Sequence, residues 1–221
     1  IGEHFLSDPA RRQKEQQDQT LLALWLDPLN AEARLALGDS LQVANRVKEA
    51  NVQFNIALAL RPDLPGAHRL RARARFQLND WEGCVADCNE VMKSAPEALA
   101  CWYRGVARAR LGRHADALTD LTAALDALPT SADVLFERGE VFSALGRTDE
   151  AVADWKRAAE LAGPTNGPLH LNNLAWRLLI GPEAVRDPKR ALELAVLANN
   201  RQPNNSVFLN TLGFARYRNG A

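Results

Sequence analysis

The feature that most constrains this chain is a period. From Ala98 to Ser131, small and apolar residues recur at helical spacing (Cys101, Gly105, Ala109). They break off at Leu111-Gly112-Arg113, resume at Ala117, Leu121 and Ala124, and stop at Pro129. That pattern predicts two amphipathic helices joined by a tight turn. A unit of 34 residues cannot bury its own apolar face and needs neighbours of the same kind. The chain supplies such neighbours on both sides.

Counting from Ala31, the first complete unit has Leu37, Gly38, Leu41, Ala50, Phe54, Ala57 and Pro62 at positions 7, 8, 11, 20, 24, 27 and 32. The unit over 65–97 repeats the register with Ala72, Cys84, Cys88, Val91 and Pro96, one residue short. The unit over 98–131 has Gly105, Ala117, Leu121, Ala124 and Pro129, and that over 132–165 has Leu135, Gly139, Phe142, Ala151, Trp155 and Ala158. The fifth, over 166–205, fits at Leu171, Leu174 and Ala175. It then carries extra residues within Ile180–Arg186 before Ala191, Ala195, Ala198 and Pro203 close it. A sixth, partial unit spans 206–221 with Leu209, Leu212 and Gly213.

This register resembles the tetratricopeptide repeat. The resemblance covers about 31–221 and implies an all-α fold, a right-handed α-solenoid superhelix of antiparallel helix pairs with about twelve helices. Positions 8 and 20 should be small so that the two helices of a unit approach closely, and position 27 so that the next unit docks. Residues 1–30 are expected to form an N-terminal half repeat that caps the array. Its helix should begin at Ser7-Asp8-Pro9, a capping residue followed by a proline in the first turn, and stop at Asp27-Pro28. The stretch from Leu171 to Ala195 is similar to repeats in tails of multidomain bacterial proteins, some Ser/Thr kinases among them.

Charge and composition exclude several functions. The chain of 221 residues has 27 basic and 27 acidic side chains, so no bulk charge favours nucleic acid or an acidic membrane. Its apolar runs are too short to span a bilayer, and Ile1-Gly2-Glu3-His4 does not open a signal peptide. Three cysteines give no disulfide framework, which fits a reducing, cytoplasmic setting. Cys84, Cys88 and Cys101 occupy core positions without zinc-site spacing, and His4, His68, His114 and His170 are scattered. No nucleophile–base pair or phosphate-binding glycine pattern is present, so neither catalysis, a cofactor nor a metal is expected.

Two sets of polar residues stand out. Arg71, Arg104 and Arg138 sit at position 7, each followed 16 residues later by Asp87, Asp120 or Asp154. A half-buried guanidinium needs a partner and a carboxylate suits it, so these are expected to be structural pairs between the helices of one unit. The second set follows from the resemblance, which places the first helix of each unit on the concave face. The lining residues so implied are Leu35, Asp39, Arg69, Arg73, Phe76, Trp102, Tyr103, Val106, Arg110, Phe136, Glu137, Glu140, Asn172, Asn173, Trp176, Asn210, Phe214 and Tyr217. Aromatics, Arg and Asn suit an extended peptide. Leu35, Asp39, Leu70, Leu99 and Tyr103 stand where the subclass that grips chaperone C-termini has Lys, Asn and Arg, so that ligand is not expected.

The resulting expectation is a non-catalytic scaffold that binds a peptide or protein segment in its concave groove. The alternatives are a regulatory module of a larger enzyme, such as a bacterial Ser/Thr kinase, and self-association through the apolar side of the last half repeat (Leu209, Leu212). Nucleic acid on Arg69, Arg73 and Arg110 is not expected, because Asp39, Glu137 and Glu140 share that face.

Overall fold

The computed structural model describes residues 9–94 and 96–220, so the expected Ser7-Asp8 cap lies outside the described residues. The fold is all-α, with twelve α-helices and one 3-10 turn among the described residues. The chain divides into two compact units, one ending at Ala107 and the other beginning at Arg108.

The first unit holds α1 (Pro9–Leu26), α2 (Ala31–Val43), α3 (Val47–Leu60), α4 (Ala67–Gln77), α5 (Trp81–Met92) and most of α6 (Ala98–Arg110). The second holds the end of α6, then α7 (His114–Ala127), α8 (Ala132–Ala144), α9 (Thr148–Leu161), α10 (Pro168–Ile180), α11 (Pro188–Arg201) and α12 (Ser206–Arg218). Within each unit successive helices pack as hairpins, α2 on α3 and α4 on α5 in the first, α8 on α9 and α10 on α11 in the second.

Local chemistry sets the helix starts. The side chains of Asn30, Asp80, Ser131, Asp187 and Asn205 each accept a hydrogen bond from a backbone N–H in the first turn of the helix they precede. Four hairpin turns place one residue in the left-handed region at the same repeat position: Asn45 (φ 60°), Asn79 (φ 59°), Gly112 (φ 75°) and Gly146 (φ 74°). Asn and Gly tolerate that conformation at little cost. The fifth hairpin has no such residue. Its extra residues form a 3-10 turn, Glu183–Val185, that packs on α9 and buries Val185, and Asp187 then caps α11.

The small residues do what their positions predict. A methyl group on Gly38 would lie 2.5 Å from the Phe54 ring, and one on Gly139 would lie 2.7 Å from the Trp155 ring. Ala50 and Phe54 pack with Leu41 and with Ala74 of the following hairpin, while Ala57 packs against Ala67. The core is thus a seam of alanines between helices, and in two of the hairpins a large ring, Phe54 or Trp155, is wedged over a glycine.

α1 packs on α2 and leaves Leu21, Leu22, Leu26 and Trp25 exposed, the last at 78%. At the other end, Leu209 is exposed but Leu212 is buried, since α12 packs on α10 and α11. The apolar side expected to be open for self-association is therefore half covered.

Candidate functional site

Three buried carboxylates knit the hairpins. Asp87, 1% exposed, accepts from Arg71 Nε at 2.9 Å and Nη2 at 2.7 Å, and from Arg75 Nη1 at 2.8 Å. His68 Nδ1 lies 2.8 Å from the same carboxylate. Asp154 accepts from Arg138 Nε at 2.7 Å and Nη2 at 2.8 Å, which holds that guanidinium more basic than usual. Asp120 accepts from Arg108 Nη1 at 2.8 Å. Arg104 and Asp120 belong to different units, and within its own unit Arg104 donates to Asn89 Oδ1 at 2.8 Å. Arg75 and Arg108 were not singled out in the sequence, yet each precedes its aspartate by 12 residues, one helical turn beyond position 7. That second spacing was the available signal.

In the first unit the expected lining residues gather around one feature. Phe76 is 5.7 Å from Trp81, 5.9 Å from Trp102 and 4.9 Å from Tyr103 between ring centroids, and Trp102 stacks on Tyr103 at 5.1 Å. Such contacts favour offset or tilted rings and hold them in place. Trp81, on the second helix of its hairpin, was not expected in this cluster. Beside it opens a cavity of about 190 Å³ between α4, α5 and α6. Leu70, Ala72, Val91, Leu99 and Ala100 contribute to its wall, Cys88 lines it, and Arg69, Arg73 and Tyr103 complete it.

Arg73 Nη2 donates to Asp39 Oδ1 at 3.2 Å and to Gln42 Oε1 at 2.9 Å. Arg69 makes no hydrogen bond among the described residues, and its nearest carboxylate is Glu97 at 3.8 Å. Burial pushes the Tyr103 phenol above its ordinary pKa, with Arg73 opposing weakly, so the hydroxyl stays protonated. Burial and the hydrogen bond with Cys84 push the Cys88 thiol far up, led by the hydrogen bond. Cys84, Cys88 and Cys101 are all buried and unoxidised, and among the described residues no cluster of His, Cys, Asp and Glu could hold a metal ion.

In the second unit the charged lining residues are taken up by one another. Arg110 Nη2 lies 3.2 Å and 3.3 Å from the two oxygens of Glu137, which is buried. His170 Nε2 is 3.4 Å from Glu137 and Nδ1 is 3.9 Å from Asp133, with its ring edge-on to Phe136 at 6.5 Å. Burial alone would lower the His170 pKa, but the hydrogen bond to Glu137 and the fields of Asp133 and Glu137 outweigh it and Arg110, so the net shift is upward. Glu140 accepts both Arg177 Nε at 2.7 Å and Arg177 Nη2 at 2.6 Å, and that guanidinium lies 4.8 Å over the Trp155 ring. Trp176, partly open, meets Phe214 at 5.8 Å, and Phe214 stacks with Tyr217 at 6.5 Å, beside exposed Asn210 and half-buried Asn173.

Four of the expected lining residues do not present an open surface. Val106, Phe136, Glu137 and Asn172 are each under 5% exposed, because neighbouring helices close over them. They belong to the packing between repeats and offer a ligand nothing to touch. Glu140 is exposed in part, but its carboxylate is committed to Arg177.

Hairpins stacked on alanine seams define an all-α helical-repeat protein. Residues 103–167 match the tetratricopeptide repeat family. Human tetratricopeptide repeat protein 6 is 27% identical over 129 residues, 58% of this chain and 25% of that protein, so the chain spans about a quarter of the curated relative. MamA from Desulfovibrio magneticus RS-1 is a similar solved structure (17% identity, 69% of this chain, 88% of that one, TM-score 0.62). So is YrrB, described as a tetratricopeptide-repeat protein with an unusual peptide-binding site (16% identity, 88% of this chain, 97% of that one, TM-score 0.58). The match to the tetratricopeptide repeat thus falls on 103–167, within an all-α helical-repeat fold similar to those two solved structures.

Proposed function

We propose that this chain is a non-catalytic protein-interaction scaffold that takes a peptide or an extended protein segment on the first helices of its repeats. The observation that carries the reading is the convergence of Arg69, Arg73 and Tyr103, expected from sequence to line one face, on a single apolar-walled cavity. At about 190 Å³ the cavity is smaller than the roughly 300–1,000 Å³ usual for small-molecule sites. It has room for one anchoring side chain, with the rest of the segment lying across the ring cluster of Phe76, Trp102 and Tyr103. Rigid aromatic anchors beside a pocket are where binding energy concentrates in protein interfaces. YrrB, whose fold is similar, has a peptide-binding site, which supports this use of the architecture.

The test is selection of a random displayed peptide library against the full chain, followed by titration of the selected peptides against a Leu99→Trp variant. Leu99 lines the cavity and is 45% exposed, so the larger ring can fill the mouth without repacking the core. Affinity should fall at least tenfold with an unchanged far-UV circular dichroism spectrum. Selected peptides that bind the variant as well as the native chain, or a library that yields none, would refute the reading.

A further inference from the structure

We infer that the segment taken by the first-unit cavity carries side-chain carboxylates on both sides of its apolar anchor. This rests on the reading of that cavity as a peptide site and adds the chemistry of the ligand.

The walls demand an apolar side chain: Leu70, Val91 and Leu99 surround the space, and Cys88 there is a protonated thiol. The polar groups decide the flanks. Arg69 carries five N–H donors and engages none in a hydrogen bond among the described residues, with Glu97 at 3.8 Å as its only close carboxylate. Arg73 uses Nη2 alone, toward Asp39 and Gln42, leaving Nε and Nη1 without an acceptor among the described residues. The Tyr103 hydroxyl likewise has no hydrogen-bond partner among them, and its upward-shifted pKa keeps it a donor at neutral pH. On the acceptor side, Asp39 and Glu97 already face these same guanidiniums. Neither carboxylate lines the cavity, and among the polar side chains that do, Arg69, Arg73 and Tyr103, the unengaged capacity is donor and mostly cationic.

A backbone carbonyl could accept from one of these groups, but a carboxylate does better. A hydrogen bond between ionised partners is roughly twice as strong as a neutral one, and the guanidinium fork fits a carboxylate with two parallel bonds. Two guanidiniums, one from each of two successive turns of α4, match one acidic residue on either side of the anchor. The side chains of Arg69 and Arg73 are 59% and 38% exposed, so they can swing toward a ligand without leaving the helix. Exposure also means the preference is screened by salt.

The probes are short labelled peptides, acetylated and amidated so that only side chains carry charge: a central leucine flanked by glutamates, by glutamines or by lysines, and the glutamate peptide with alanine at its centre. Each is titrated against the full chain by fluorescence anisotropy. The glutamate–leucine peptide should bind about tenfold more tightly than the glutamine peptide, more tightly still than the lysine peptide, and lose most of that margin in half-molar salt. Replacing the central leucine by alanine should also cost about tenfold. Arg69→Gln and Arg73→Gln should each weaken the glutamate peptide while leaving the glutamine peptide unchanged. Equal binding of glutamate and glutamine peptides, or variants that weaken both alike, would overturn the inference. If both peptides bind equally and both are displaced by Leu99→Trp, the peptide reading stands and only the acidic preference falls. Binding of no probe and of no library peptide refutes both together.

Discussion

The Arg138–Asp154 pair allows a closed test of how these repeats hold together. The carboxylate is 9% exposed and the guanidinium 21%, joined by two bonds of 2.7 Å and 2.8 Å. Arg138→Leu leaves a buried carboxylate without its partner. Asp154→Leu leaves a guanidinium that must find water past its neighbours. Breaking a buried pair costs about 3–5 kcal/mol. Because a fifth of the Arg138 side chain still reaches solvent, each single change should cost less than a fully buried pair would, about 2–3 kcal/mol. The double change to leucines removes both charges and should return to within about 1 kcal/mol of the native chain. The remaining deficit comes from the contact of Arg138 with the Phe142 ring at 5.4 Å, worth about 0.5–1 kcal/mol. At roughly 2–4 °C per kcal/mol for a chain of this size, the single variants should melt about 4–12 °C lower. Urea titration followed by far-UV circular dichroism gives the cycle, and affinity for a selected peptide should not change. A double variant no more stable than the worse single one would refute the idea that the two charges act as a pair.

Other expectations follow from the same contacts. Gly139→Ala should destabilise by about 1–3 kcal/mol in urea unfolding although alanine is the better helix former, because its methyl group meets the Trp155 ring at 2.7 Å; an unchanged or raised midpoint would contradict that packing. The raised His170 pKa makes its contribution to stability fully present below its ordinary value of 6.5 and lost as pH rises through the folded value, so stability should decline above pH 6.5 and His170→Gln should flatten that decline. A pH profile that His170→Gln leaves unaltered would remove the histidine from this role. Cys84, Cys88 and Cys101 should resist iodoacetamide in the folded chain and react in denaturant, as mass spectrometry would show; rapid labelling of any of the three in the native state would contradict their burial.

Much of this architecture was legible one repeat at a time. Gly38 and Gly139 declared a close approach, and Phe54 and Trp155 lie against them. Asp187, followed by Pro188, is a helix-start signal, and it caps α11. The left-handed turn position was also present in the sequence, but Asn45 and Asn79 concealed it, because asparagine is a weaker signal there than Gly112 and Gly146. The lining of the candidate site was less legible. Position within a repeat says which side of a helix a residue occupies, and it does not say how closely the next repeat approaches.

By itself, then, the sequence determined the class of fold, the length of the repeat, the small residues along the seams and the aspartates that sit between paired helices. These depend on contacts within one hairpin, where spacing along the chain fixes distance in space. Only the tertiary structure decided which lining residues remain open and which charges remain unengaged. Val106, Phe136 and Asn172 are closed over by neighbouring helices. Arg73 meets Asp39 across 34 residues, Arg110 meets Glu137 across 27, and Glu140 meets Arg177 across 37. Those pairings depend on how one hairpin stacks on the next, which the repeat register alone leaves unspecified. The cavity beside Arg69, Arg73 and Tyr103 comes from the same stacking, because its walls are drawn from three helices.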